Sequence, residues 1–134
     1  MIFLNYSLLK NKIIIKKNFG ILCNNPQKRG IVLKTRIVTP KKPNSARRPV
    51  AKISLINKKQ TIAHIPGIGH NLRKHSNILI RGGGARDLPG VSYTCIRGVY
   101  DLNSVLNKTR RRSIYGVNIP ENKKIKLRRK FRQD

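Results

Sequence analysis

The residues able to do chemistry are few in this chain, and their spacing limits what they can do. Three glycines, Gly82-Gly83-Gly84, precede Ala85-Arg86-Asp87-Leu88-Pro89-Gly90. A glycine run invites a phosphate-cradle reading, but no Gly-Lys-Ser/Thr ending follows, so this is not a P-loop. Gly67-Ile68-Gly69 is likewise followed by neither a third glycine nor a helical pattern, which rejects a dinucleotide fingerprint. His70 and His75 lie five apart with no Cys or acid beside them to complete a zinc site, so no metal site is expected. Cys23 and Cys95 are far apart and show no C-x-x-C spacing; they read as buried or incidental thiols. Asp87 stands nearly alone among cations. One carboxylate without a partner His or metal is a poor general base. The expectation is that Asp87 pairs with a neighbouring Arg or Lys and orders its loop. No converging catalytic set is visible, and no enzyme is expected.

A different chemistry is available to Thr39-Pro40-Lys41-Lys42-Pro43-Asn44-Ser45-Ala46-Arg47-Arg48-Pro49. Its three prolines fix their own φ angles and push the preceding residues into extended backbone. The result is a stiff loop presenting Asn44 and Ser45 between two basic pairs. Both side chains donate and accept hydrogen bonds. They could read the shape and hydroxyls of an RNA groove, or simply cap a turn. The loop residues alone leave both readings open.

The whole chain favours a polyanionic partner. Among 134 residues, 31 are Lys or Arg and only 4 are Asp or Glu, for a net charge of +27 and a pI near 11.5. No acid occurs before Asp87. A compact body with this charge repels itself until something neutralises it, and nucleic acid is the first candidate. An anionic membrane surface is the second, but residues 1–24 lack the clean amphipathic face it requires. Aromatics are 5% with no Trp, which argues against a single-strand binder that stacks successive bases. Heavy use of Ile, Asn and Lys is a mark of an AT-rich coding genome, such as an organelle's. At the N-terminus the apolar runs are too short to span a membrane. The first Arg is Arg29, and no cleavage signal is evident. If the protein works in an organelle, it is expected to be made there.

The elements that must position these loops read as short strands. Ile31–Val38 is β-branched and bounded by Gly30 and Pro40. Val50–Ile56 alternates, with Ala51, Ile53 and Leu55 on one face and Lys52 and Ser54 on the other. Asn57–Gln60 is a polar turn and Thr61–Ile65 returns, predicting a hairpin. Asn77–Arg81 is a further strand, and Val91–Val99 the last, with Gly98 as a bulge or close-approach point. Five short strands with basic loops predict an all-β fold and fit a small OB-like β-barrel over residues 25–103, a topology that periodicity alone does not fix. Residues 1–24 and 104–134 read as basic extensions that drape on a partner.

At this point the strings themselves carry a resemblance. PQKRG (26–30), TPKKPNSA (39–46), AHIPG and GHNL (63–72), LIRGG (79–83), RDLPGV (86–91), IRGVYDL (96–102) and RRRSIYGV (110–117) occur in order. The chain is similar to the small-subunit ribosomal protein S-twelve family over about residues 25–120, and HIPG and CIRGV look like its mitochondrial variants. The resemblance implies a structural constituent of the small ribosomal subunit, in the mitochondrion, with plastid or bacterial cytoplasm as the alternative. It implies binding to small-subunit rRNA beside the tRNA–mRNA decoding helix, contacts with neighbouring ribosomal proteins, and no homo-oligomer. No cofactor is implied beyond structural magnesium held by the rRNA. Carried over, Lys41, Lys42, Pro43, Asn44 and Ser45 form one decoding-site loop, and Arg86, Asp87, Leu88, Pro89 and Gly90 the other. Lys28, Arg29, Arg47, Arg48, His70, Arg73, Lys74, His75, Arg81, Arg110, Arg111 and Arg112 are further expected rRNA contacts. The chain departs from the family at Ile68, Arg73 and Lys74, where acids or Gln are usual, and this shifts the third loop toward phosphate.

Overall fold

A computed structural model of the protein describes residues 20–120. Their architecture is a closed barrel of five strands: β1 (Gln27–Val38), β2 (Arg48–Leu55), β3 (Gln60–His64), β4 (Asn77–Gly82) and β5 (Tyr93–Cys95). The order around the barrel is β1-β2-β3-β5-β4. All neighbours are antiparallel except β3 and β5. This is the OB-like barrel expected from the strand pattern.

The alternation in β2 sets its faces as expected. Ala51, Ile53 and Leu55 point into the core while Lys52 is exposed. They meet Val32 of β1, Ala63 of β3, Ile78 and Ile80 of β4 and Cys95 of β5 in one apolar cluster. Burial pushes the Cys95 thiol up to about 12, so it stays protonated and packs as a small apolar group. The β2–β3 hairpin closes through Asn57-Lys58-Lys59, with Lys58 at φ 61 and the Leu55 N–H donating to the Lys59 carbonyl at 3.0 Å.

β1 is longer than the apolar run Ile31–Val38. It begins at the polar Gln27 because residues 27–31 pair with β4 while residues 30–38 pair with β2. A register shift between Val32 and Lys34 bends the strand between its two partners. Gly30 pairs with both Leu55 and Ile78. A Cβ there would fall 2.5 Å from Ile53 Cγ2, so glycine lets the barrel close at that corner.

β5 is shorter than the run Val91–Val99. Regular pairing stops at Cys95, and the Arg97 side chain turns to loop carbonyls instead of continuing a ladder. Gly98 is a close-approach point: a Cβ there would lie 3.0 Å from the Gly116 carbonyl oxygen. The described parts of both extensions pack on the barrel. Ile21 and Leu22 lie against the core, and the Ile21 carbonyl accepts a hydrogen bond from Asn57 Nδ2 at 3.0 Å. Val105 is buried, its N–H donates to the Tyr115 carbonyl, and a single turn of helix, α1 (Arg112–Tyr115), follows. Residues 1–19 and 121–134 of the predicted extensions lie outside the described residues.

Candidate nucleic-acid interface

The first loop leaves β1 at Val38 and enters β2 at Arg48; the second leaves β4 at Gly82 and enters β5 at Tyr93. The barrel brings them together, and two interactions lock them. The Lys41 N–H donates to the Asp87 carbonyl at 2.8 Å. Arg48 Nε donates to Asp87 Oδ2 at 2.6 Å. The Asn44 side chain lies near enough to the Asp87 carboxylate to favour its charged form slightly. The hydrogen bond from Arg48 is the largest influence on Asp87 and holds its carboxyl below the usual carboxylate range, so it is ionised at neutral pH.

Each loop is also ordered from within. Asn44 N–H donates to the Lys41 carbonyl at 3.1 Å across a turn that contains the cis Lys42–Pro43 bond. In the second loop, Leu88 N–H donates to the Ala85 carbonyl. Leu88 is 3% exposed and packs with Val50 and Val91 in a small apolar cluster flanked by Val38 and Ala85. Leu88 is therefore an anchor beneath the loop. Lys41, Lys42, Pro43, Asn44, Ser45, Arg47, Arg86, Pro89 and Gly90 remain exposed above it. Thr94 ties the base of the second loop by donating its hydroxyl to the Gly83 carbonyl.

The third loop, residues 65–76, joins β3 to β4. It places His70, Arg73, Lys74 and His75 at the surface, and none of them is bonded to the first two loops. Lys28, Arg29 and Arg81 lie on the β1–β4 pair. Arg110 and Arg111 lead into α1, and Arg112 keeps one buried Nη without a hydrogen-bond partner among the described residues. Among the described residues, no group of three or more His, Cys, Asp or Glu could hold a metal, and no helix is long and apolar enough to cross a membrane.

Two residues escaped the sequence reading. Arg97 is 4% exposed, and its guanidinium donates to the carbonyls of Pro66 at 2.8 Å, Asn103 at 3.2 Å and Gly69. It holds the third loop to the segment after β5. The available signal was a charge embedded in the apolar run Thr94-Cys95-Ile96. His64, at the end of β3, lies close enough to Arg48 and Asp87 to feel both charges. Desolvation and then Arg48 lower its pKa, so the imidazole is neutral beside the ion pair.

Two basic, polar loops locked together on a small β-barrel define a protein built to present a fixed cationic surface. Comparison with known proteins gives that class its family. The model for "Ribosomal protein S12/S23" matches residues 15–131. The small ribosomal subunit protein uS12m of Paramecium tetraurelia is 70% identical over 107 residues, covering 80% of this chain and 77% of the relative. The chain belongs to the ribosomal protein S12/S23 family, whose members are ribosomal constituents and not enzymes. The mitochondrial resemblance read from HIPG and CIRGV agrees with that relative.

Proposed function

We propose that this protein binds small-subunit rRNA in the mitochondrial ribosome and presents the 39–47 and 83–92 loops to the tRNA–mRNA helix, where they contribute to the accuracy of codon reading. The observation that carries the proposal is the Asp87 clamp. Asp87, one of four acids in the chain, is spent on the Lys41 N–H and the Arg48 guanidinium. The clamp neutralises one cation and leaves Lys41, Lys42, Arg47 and Arg86 facing out on a fixed frame.

In this reading the exposed lysines and arginines neutralise converging phosphates. Asn44 and Ser45 hydrogen-bond 2′-hydroxyls, which report helix shape rather than base identity. A rigid frame suits that task, because shape can be tested only by groups that do not follow it. Lys28, Arg29, Arg73, Lys74, His70, His75, Arg81 and Arg110–Arg112 supply further rRNA contacts, magnesium is held by the rRNA, and neighbouring ribosomal proteins complete the surroundings.

Two measurements test this. The tagged protein should co-sediment with the small subunit and monosome in magnesium buffer and lose that mobility after ribonuclease. Small subunits carrying Lys42→Thr should assemble normally yet change near-cognate misreading. Free protein at the top of the gradient sinks the rRNA assignment; unchanged misreading removes Lys42 from decoding.

A further inference from the structure

A second feature lies at Tyr100. The chain turns sharply from Gly98 to Leu102: Gly98 N–H donates to the Leu102 carbonyl at 2.8 Å, and Val99 bridges Leu102. Tyr100 occupies this turn at φ 53, in the left-handed region. A bulky side chain meets a steric cost there, and turns of this form ordinarily use Gly, Asn or Asp. Burial does not repay that cost, because Tyr100 is 55% exposed.

The surroundings hold the turn in place. Asp101 Oδ2 accepts the Asn77 N–H at 2.6 Å, and the Asp101 carbonyl accepts Asn71 Nδ2 at 2.7 Å. The Arg29 guanidinium lies 5.4 Å from the Tyr100 ring centroid, and its Nη2 donates to Asn77 Oδ1 at 2.9 Å. The turn, the ring and the arginine therefore share one bracing residue, Asn77. Tyr100 also lines a cleft of about 570 Å³ together with Asn103, Ser104 and Asn118, the apolar Leu102 and Leu106, and Gly98 and Gly116. Amides and a hydroxyl can donate and accept, as the edge of a base requires. Among the described residues the one carboxylate nearby, Asp101, is not among the groups lining the cleft; it is held at the Asn77 N–H.

We infer that Tyr100 is a stacking platform for a single unpaired nucleotide of the RNA partner, with Arg29 fixing the ring and the cleft amides meeting the base edge. This rests on the rRNA-binding reading and adds a site to it. Strained backbone that exposes an aromatic ring is a feature of binding sites, and a flat ring stacks with any base. The cation beside the ring also favours a polyanionic partner over an apolar one.

The test uses small subunits assembled with the full chain carrying Tyr100, Tyr100→Phe or Tyr100→Asn. Asparagine suits the left-handed turn, so its variant should fold at least as well while lacking the ring. Ultraviolet crosslinking and peptide mass spectrometry of the Gly98–Lys108 tryptic peptide should find a mononucleotide on Tyr100. Chemical probing of the rRNA should find one nucleotide that Tyr100→Asn exposes by about 5- to 150-fold, the range that base–aromatic stacking supports, while Tyr100→Phe keeps it protected. Identical probing of all three subunits overturns the inference while leaving rRNA binding intact. A crosslink from Tyr100 to another protein overturns it in favour of a protein contact. Absence of the chain from the small subunit defeats both readings at once.

Discussion

Gly84→Ala asks whether the position of the second loop matters. A Cβ at Gly84 would fall 1.9 Å from the Val91 carbonyl oxygen and 2.8 Å from Ser92 Cα. Both obstacles are backbone, so no side-chain rotation relieves them. A carbon–oxygen contact is comfortable from roughly 3.3 Å, which requires the two strand ends to part by about 1.4 Å. The loop they carry is held to its neighbour by the 2.8 Å Lys41–Asp87 bond and the 2.6 Å Arg48–Asp87 pair. Good N–H···O bonds extend only to about 3.2 Å, so a shift of that size passed into the loop breaks at least one of them. Gly90→Ala is the control. Unlike Gly84, Gly90 has a positive φ, +74, but nothing lies within 4 Å of its Cβ position. Alanine there costs about 1–2 kcal/mol of backbone energy without displacing a neighbour. Small subunits reconstituted with each variant are scored for incorporation by sedimentation and for near-cognate misreading. Gly84→Ala should incorporate and change misreading several-fold, with Gly90→Ala closer to the unsubstituted protein. Equal misreading for Gly84→Ala and the unsubstituted protein would refute the argument that the clamp sets loop position.

Arg97→Met removes three hydrogen bonds from a charged donor and leaves the carbonyls of Pro66, Gly69 and Asn103 without it. Destabilisation of about 3–5 kcal/mol is expected, read as a lowered urea midpoint of the free chain in high salt. Acidification should weaken the free protein as well. The folded-state pKa values of His64 and His70 lie below their ordinary 6.5, so the unfolded chain takes up protons first as pH falls below that value, and stability drops there. Asp87 does not share this window: its pKa is lowered from 3.8, and its contribution is lost only as pH falls through that lower value. Urea midpoints at pH 7.5 and 5.5 should differ, and His64→Gln should shrink the difference; an unchanged difference would remove His64 from the effect.

Local pattern made part of this molecule readable. In β2 the side chains alternate between core and solvent, and the sequence alternates with them. The β2–β3 hairpin follows from two such runs around a polar turn. Where pairing overrode pattern, the reading failed. Gln27–Gly30 has no apolar alternation and is a strand because β4 lies beside it. Ile96–Val99 has strand-like residues but turns away, because Arg97 is needed by carbonyls 28 and 31 residues earlier. The loops behave the same way. The stiffness of 39–49 was visible in its prolines, and a cationic partner for Asp87 was expected. That the partner is Arg48, 39 residues away, depends on how the barrel closes. His64 was hidden for the same reason, since its environment comes from β2 and the second loop and not from its own strand.

The ring of strands bears on how such a protein survives before it meets RNA. A ribosomal constituent is synthesised apart from its subunit, and an open sheet would offer a bare row of N–H and C=O groups to other copies. Here β1 reaches both β2 and β4, and β5 joins β3 to β4, so every strand has a neighbour on each side. Among the described residues, only short stretches, such as 34–38 of β1 and 60–62 of β3, are paired on one side alone. With an excess of 27 positive charges holding copies apart, the unassembled barrel is guarded against self-association twice, once by geometry and once by repulsion. Under the proposed rRNA binding, the second guard is surrendered on assembly and the first is kept.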